Sequence, residues 1–187
     1  RNVYRFSEGS VYGTVYHVSY QSEIDYAVEI RQEMERVNRS LSMFNKNSVI
    51  ARWNRGESEQ VDSLFAVMYE KAREVNEVTG GAFDVTVAPL VNAWGFGFKN
   101  EKLPSDEKID SLLQYVGMDK VQLGGERLVK LVEGVQMDAS SIAKGLGVDL
   151  VAEFFDRKGV QNYMIEIGGE IRVKGESNKQ RPWHIGV

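Results

Sequence analysis

MDASSIAKGLGVD, residues 137–149, holds the change of pattern on which the fold reading turns. From Ile142 onward, Leu146, Leu150 and Phe154 follow at every fourth position, the spacing of one helix face. Before it, residues 120–137 alternate and break at Gly124-Gly125 and Gly134, as short antiparallel strands do. The junction therefore reads as a strand that delivers Asp138 to a helix over residues 141–157. Ser140 is the natural N-cap and Ser141 its competitor. Free N–H groups and the positive helix end make such a junction an anion site. Lys144 sits in the first turn, where the helix dipole disfavours a cation and a phosphate would offset that cost. The plain alternative is an ordinary capped helix carrying a surface lysine.

Outward from this junction the chain keeps mixing the two periods. Residues 11–20 (VYGTVYHVSY) are β-branched and aromatic and predict a strand. Ile24, Ala27, Val28, Met34, Val37 and Leu41 predict an amphipathic helix over 23–41. Residues 42–58 lack a sustained period and read as loop. Val61, Leu64, Phe65, Met68, Ala72, Val75 and Val78 predict a helix that Gly80-Gly81 stops. Residues 82–104 read as an irregular segment, 105–116 as a short helix, and 161–167, 170–174 and 183–187 as strands. The expected class is α+β, with antiparallel-rich sheets packed by amphipathic helices. No repeat, low-complexity stretch or Ser/Pro-rich linker divides the chain, which reads as one domain over 1–187.

Composition narrows the chemistry. Lys plus Arg is 23 and Asp plus Glu 27 in 187 residues, a net charge of −4. That balance argues against a nucleic-acid binder. With no cysteine, disulfide scaffolds, thiol nucleophiles and cysteine-ligated metals are excluded. Two histidines cannot make a three-histidine metal site, so a bound metal would be a hard cation held by oxygen. No apolar run reaches the roughly 20 residues that span a bilayer. A first residue of Arg rather than Met suggests a trimmed product, and the apolar alternation up to Val187 reads as a strand cut in mid-course.

A second constellation is TGGAFDVTVAPL, residues 79–90. Phe83 beside Asp84 could grip a heteroaromatic ring with an N–H edge; the alternative is a helix C-cap followed by a strand, with Asp84 in the turn. Phe44, Trp53, Trp94, Phe96 and Phe98 could stack on a planar ligand or fill the core under loops. Gly168-Gly169 suits a tight turn, or a close backbone approach to a ligand. His17 and His184 stand beside no serine motif and read as structural or surface residues. No phosphate loop, dinucleotide fingerprint or zinc-protease motif is present.

These segments, in this order, resemble the ApbE-type flavin transferases, also called thiamine biosynthesis lipoproteins. The matching pieces are YGTVYHVSY at 12–20, LSMFNKNSVIARWN at 41–54, TGGAFDVTVAPLVNAWGFG at 79–97, MDASSIAKGLGVD at 137–149, IEIGGEIRVKG at 165–175 and RPWHIGV at 181–187. The resemblance implies a T-fold-related architecture of which this chain is the N-terminal portion. It implies Mg²⁺-dependent transfer of FMN from FAD to a Thr or Ser of an acceptor protein, with release of AMP. Hydrolysis of FAD to FMN and AMP, a non-catalytic flavin-binding module and a purely structural domain are the competing readings. Ala82, Phe83 and Asp84 look like the lining of the FAD pocket, and Asp138 like the aspartate that touches the nucleotide. Ser141 stands where the family supplies a metal ligand, Lys144 where a residue contacts FAD, and Phe44 where others place Tyr against the flavin. Tyr12 stands where many members have Met. The later H-x-x-D-P-x-T-G-x-P segment, with its metal-binding Asp and Thr or Ser, is not in this sequence, so the chain alone is expected to be weak or inactive. The resemblance further implies an exported protein on the periplasmic face of a bacterial membrane, held by a lipid on a cysteine before Arg1.

Overall fold

The computed structural model describes residues 3–95 and 103–186. In chain order the elements are strands β1 (Tyr4–Val11) and β2 (Thr14–Gln21), then helices α1 (Ala27–Leu41), α2 (Val49–Asn54), α3 (Ser63–Val78), α4 (Ala88–Ala93) and α5 (Asp106–Leu113). Strands β3 (Val121–Gly124) and β4 (Arg127–Lys130), helix α6 (Ser140–Arg157), and strands β5 (Tyr163–Ile167) and β6 (Glu170–Lys174) follow. Helices and antiparallel sheets mix as expected. The chain folds as two compact units, Arg1–Asn38 with Ala143–Val187, and Arg39–Ile142.

The first unit is a four-stranded antiparallel sheet in the order β1-β2-β5-β6. Alternate residues of β2 and β5 (Tyr16, Val18, Tyr20, Tyr163, Ile165, Ile167) point into its core. They meet Ile30 and Met34 of α1 and Val148, Val151, Ala152 and Phe155 of α6. The strand expected at 11–20 is present as β2 from Thr14 onward, and residues 12–13 turn it back on β1, a strand not expected from the sequence. Tyr12 and Gly13 both take positive φ (53° and 72°), the two-residue turn whose twist suits paired strands. β propensity ran through Tyr12 and hid the turn. The cost of a left-handed Tyr12 is offset by its burial: its hydroxyl donates to the Met34 carbonyl at 2.5 Å.

Burial pushes the Tyr12 phenol far above its ordinary range, and the charge of Glu35 pushes the same way. Below about pH 10 the phenol is neutral in both folded and unfolded chains, so its contribution is complete there. Above that pH only the unfolded chain releases the proton, and stability falls by up to about 1.4 kcal/mol per pH unit. Tyr12→Phe is therefore expected to lose roughly 1 kcal/mol at pH 7, with the hydrogen bond, yet to show a shallower decline above pH 10. Urea unfolding of both proteins between pH 7 and 11 measures the two slopes; equal slopes would contradict the burial of this phenol.

The β5–β6 turn is another place where the backbone requires glycine. Gly168 has φ +53°, and a Cβ there would lie 2.7 Å from Thr14 Cγ2 and 2.9 Å from Lys144 Cδ. The tight turn expected at Gly168-Gly169 is present, packed against Thr14 and Lys144.

In the second unit, α3 ends as foreseen: Gly81 N–H donates to the Asn76 carbonyl, and Gly80 N–H to that of Glu77. The 42–58 segment is not all loop. It holds α2, capped by Ser48 Oγ on the Ala51 N–H and burying Ile50 and Trp53. A helix of six residues is too short to display a period. Trp53 is fully buried, donates Nε1–H to the Leu128 carbonyl at 2.8 Å, and packs on Phe65 with ring centroids 5.9 Å apart. Lys130 lies over its ring at 4.5 Å. Burial lowers the Lys130 ammonium below the ordinary lysine range, while Glu133 pulls it upward.

Four further expectations are corrected. Helix α1 begins at Ala27, not at residue 23, because Asp25 Oδ1 accepts the Ala27 N–H; Ile24 and Val28 are exposed and Ile30 takes the inward position instead. No strand leads into Asp138: residues 135–139 pair with no ladder and are held by separate bonds described below. Residues 183–186 form no strand either, since alternation without a partner gives no ladder; Trp183 instead donates its indole N–H to the Lys174 carbonyl. The described part of 82–104 contains a 3₁₀ turn (Val85–Val87) and α4, both too short to show a period. Phe96 and Phe98 lie outside the described residues, as does Val187. Among the described residues no helix is long and apolar enough to cross a membrane.

Candidate functional site

Asp84 and Asp138 are brought together through their backbones. Asp138 N–H donates to the Val85 carbonyl at 2.8 Å, so the residue after Asp84 is tied to Asp138 itself. Each acid also organises the turn that follows it. Asp84 Oδ1 accepts the Thr86 N–H (2.8 Å) and the Thr86 hydroxyl (2.5 Å), capping the 3₁₀ turn. Thr86, wholly buried, accepts the Gly117 N–H on the same hydroxyl oxygen at 2.7 Å. Asp138 Oδ1 accepts the Ser140 N–H at 2.8 Å. That bond corrects the expected cap. Helix α6 already includes Ser140, and the carboxylate at residue 138 takes the first free N–H, where the positive helix end favours an anion.

The residue before each acid is held on both sides as well. Phe83 N–H donates to Thr79 Oγ1 (3.0 Å), and the Phe83 carbonyl accepts Asn76 Nδ2–H (2.7 Å). Met137 gives its N–H to Asn54 Oδ1 (2.8 Å) and receives Asn54 Nδ2–H on its carbonyl (2.9 Å). Asp84 and Asp138 are both half-buried. Two carboxylates on backbone fixed at successive residues are a preorganised pair of acceptors.

A recess of about 360 Å³ lies in the same unit, lined in part by Phe44, Asn54, Asn92, Gln136, Lys46 and Arg55. Ligand sites begin at roughly 300 Å³. Phe44 is 79% exposed, unusual for so large an apolar ring and suited to cover a planar ligand. Trp53, by contrast, belongs wholly to the core, and Trp94 is about half exposed. Ala82 is exposed beside half-buried Phe83.

The remaining candidates are placed as follows. Ser141 is exposed in the first turn of α6. Lys144 belongs to the other unit, where Nζ donates to the Gly168 carbonyl at 3.2 Å. His17 is exposed on β2, 3.4 Å from Glu8 across the strand pair. Among the described residues no three His, Asp or Glu side chains cluster as metal ligands would. Asn54, Asn76, Thr79 and Thr86 were not foreseen. Each makes its decisive bond to a residue that only the fold brings near, apart from Thr79 and Thr86, whose hydroxyls read as ordinary turn groups.

The family model described as "ApbE family" matches residues 12–187. A curated relative named FAD:protein FMN transferase, from Haemophilus influenzae, is 39% identical over 196 residues, which cover 96% of this chain and 57% of the relative. The solved flavin transferase ApbE from Vibrio cholerae superposes with a TM-score of 0.90 at 34% identity, covering 100% of this chain and 64% of that one. The apo flavinyl transferase ApbE from Pseudomonas stutzeri gives a TM-score of 0.93 at 30% identity, covering 100% and 66%. The chain thus spans less than two thirds of the length of these relatives.

Proposed function

The chain belongs to the ApbE family, and on that premise we propose that it forms part of an enzyme that moves FMN from FAD to a Thr or Ser of an acceptor protein. In that reaction the acceptor hydroxyl oxygen forms a bond to the FMN phosphorus. The pyrophosphate P–O bond to AMP breaks, AMP leaves, and the hydroxyl proton passes to a base. The observation that carries the reading is the Asp138 N–H bond to the Val85 carbonyl, since it holds the two acid-bearing segments at one place in one unit. Phe44, lining the recess, would cover the flavin, with Asn92 and Gln136 offering amides to its polar edge. Ala82, Phe83, Asp84 and Asp138 would line the nucleotide, and the family resemblance adds Lys144 as a further FAD contact.

We propose in addition that magnesium takes part, with Ser141 among its ligands. The described residues do not by themselves fit a resident magnesium ion: octahedral oxygen coordination needs more ligands than one exposed serine, and no acidic cluster supplies them. An exported, lipid-anchored location stays part of the proposal, supported by the family resemblance alone.

The test incubates the protein with FAD, MgCl₂ and a candidate acceptor, followed by a denaturing gel under ultraviolet light and chromatography for AMP. A fluorescent acceptor band with AMP is expected of the enzyme that contains this chain. AMP and free FMN without any band would favour hydrolysis. FAD retention with no AMP would favour a binding module, and no binding would overturn the flavin reading.

A further inference from the structure

Asp138 carries its role only if its backbone stays where it is, and the side chain that holds it lies far away in sequence. Asn54, at the last residue of α2, uses its whole amide on Met137: Oδ1 accepts the N–H at 2.8 Å and Nδ2 donates to the carbonyl at 2.9 Å. The side chain thus takes the place of a strand partner for a segment that has none. Asn54 is anchored in turn. Its own carbonyl accepts Lys130 Nζ at 3.2 Å, and its neighbour Trp53 is locked in the core. The next residue along, Asp138, then has its N–H aimed at Val85 and its carboxylate at Ser140. Asn54 also lines the recess that Phe44 lines.

We propose that Asn54 is a positioning residue: it fixes Asp138 relative to the Phe44 recess, so that the group contacted by Asp138 and the ring covered by Phe44 are presented at one set distance. The same device recurs at the other acid, where Asn76 and Thr79 hold both backbone groups of Phe83. Single side chains placed on backbone groups preset geometry before the ligand arrives, which lowers the ordering cost of binding. The inference rests on the FAD reading for its consequence, whereas the clamp itself can be tested without any ligand.

The experiment has two arms. In the first, FAD affinity is measured by flavin fluorescence for the wild type, Asn54→Ala, Asp138→Ala and the double variant. Asn54→Ala is expected to bind about tenfold more weakly, as two net hydrogen bonds would give. In the Asp138→Ala background the same change is expected to have no further effect, because Asn54 acts through Asp138. Equal, multiplying losses in both backgrounds would overturn the proposal and make Asn54 a direct contact. In the second arm, amide hydrogen exchange is compared between wild type and Asn54→Ala. Faster exchange confined to Met137 and Asp138 supports the clamp; unchanged exchange there, or uniform acceleration, overturns it. Asn54→Asp keeps the volume and the acceptor but sets an oxygen against the Met137 carbonyl, and carries both arms should Asn54→Ala not fold. A wild type that binds no FAD would refute the flavin reading, and the exchange arm would then decide the clamp alone.

Discussion

Trp53→Ala is expected to lose about 3–5 kcal/mol of stability, the largest effect of any side-chain truncation in the second unit. Two terms add. The indole is fully buried against Phe65, so its removal leaves a cavity that an α2 of six residues has little freedom to close. Its Nε1–H also satisfies the Leu128 carbonyl, beside a side chain that is itself fully buried. Leaving that acceptor unpaired adds roughly 1–3 kcal/mol, part of which is already in the truncation figure. Lys130 loses the ring it lies over and keeps its unfavourable burial. Trp53→Phe separates the terms, since it keeps most of the volume and loses only the donor; about 1–3 kcal/mol is expected. Urea unfolding followed by far-ultraviolet circular dichroism measures both. A loss below 1 kcal/mol for Trp53→Ala would mean that α2 and β4 are not packed as described.

Trp53 also shows where sequence reading stops. The sequence put it among rings that could stack on a ligand or fill the core, and its neighbours gave no period to decide between them. The deciding partner, Leu128, is 75 residues away. Long helices are legible because their own residues carry the repeat, and strands where β-formers cluster: α1, α3, α6, β2, β5 and β6 stand close to where the sequence puts them. Helices of six residues make fewer than two turns and show no repeat, which is why α2 and α4 do not stand out in the sequence. The candidate site divides in the same way. Asp84 and Asp138 could be singled out because each opens a turn or helix, a local property. Asn54 and Asn76 could not, since a side-chain amide gives no sign in sequence of the backbone it will hold.

The second large effect concerns Asp84, where stability and binding must be told apart. Asp84→Ala is expected to destabilise the second unit by about 2–4 kcal/mol, more than a surface acid would. It removes the cap of the 3₁₀ turn and leaves the Thr86 hydroxyl, wholly buried, without its acceptor. Thr86 in turn positions the Gly117 N–H, so the loss spreads to the end of the segment after α5. A fall in FAD affinity in this variant would therefore say little about contact. Asp84→Asn is the informative change. Its amide oxygen still accepts both Thr86 groups, so stability is expected to stay within about 1 kcal/mol of the wild type. What it removes is the charge and the second carboxylate oxygen. If that carboxylate meets an N–H or hydroxyl of the nucleotide, affinity should fall about tenfold while the melting temperature holds, because charge-assisted bonds are worth more than neutral ones. If Asp84→Asn binds FAD as the wild type does, Asp84 is a turn cap alone, and Asp138, held by Asn54, becomes the acid on which the flavin reading depends.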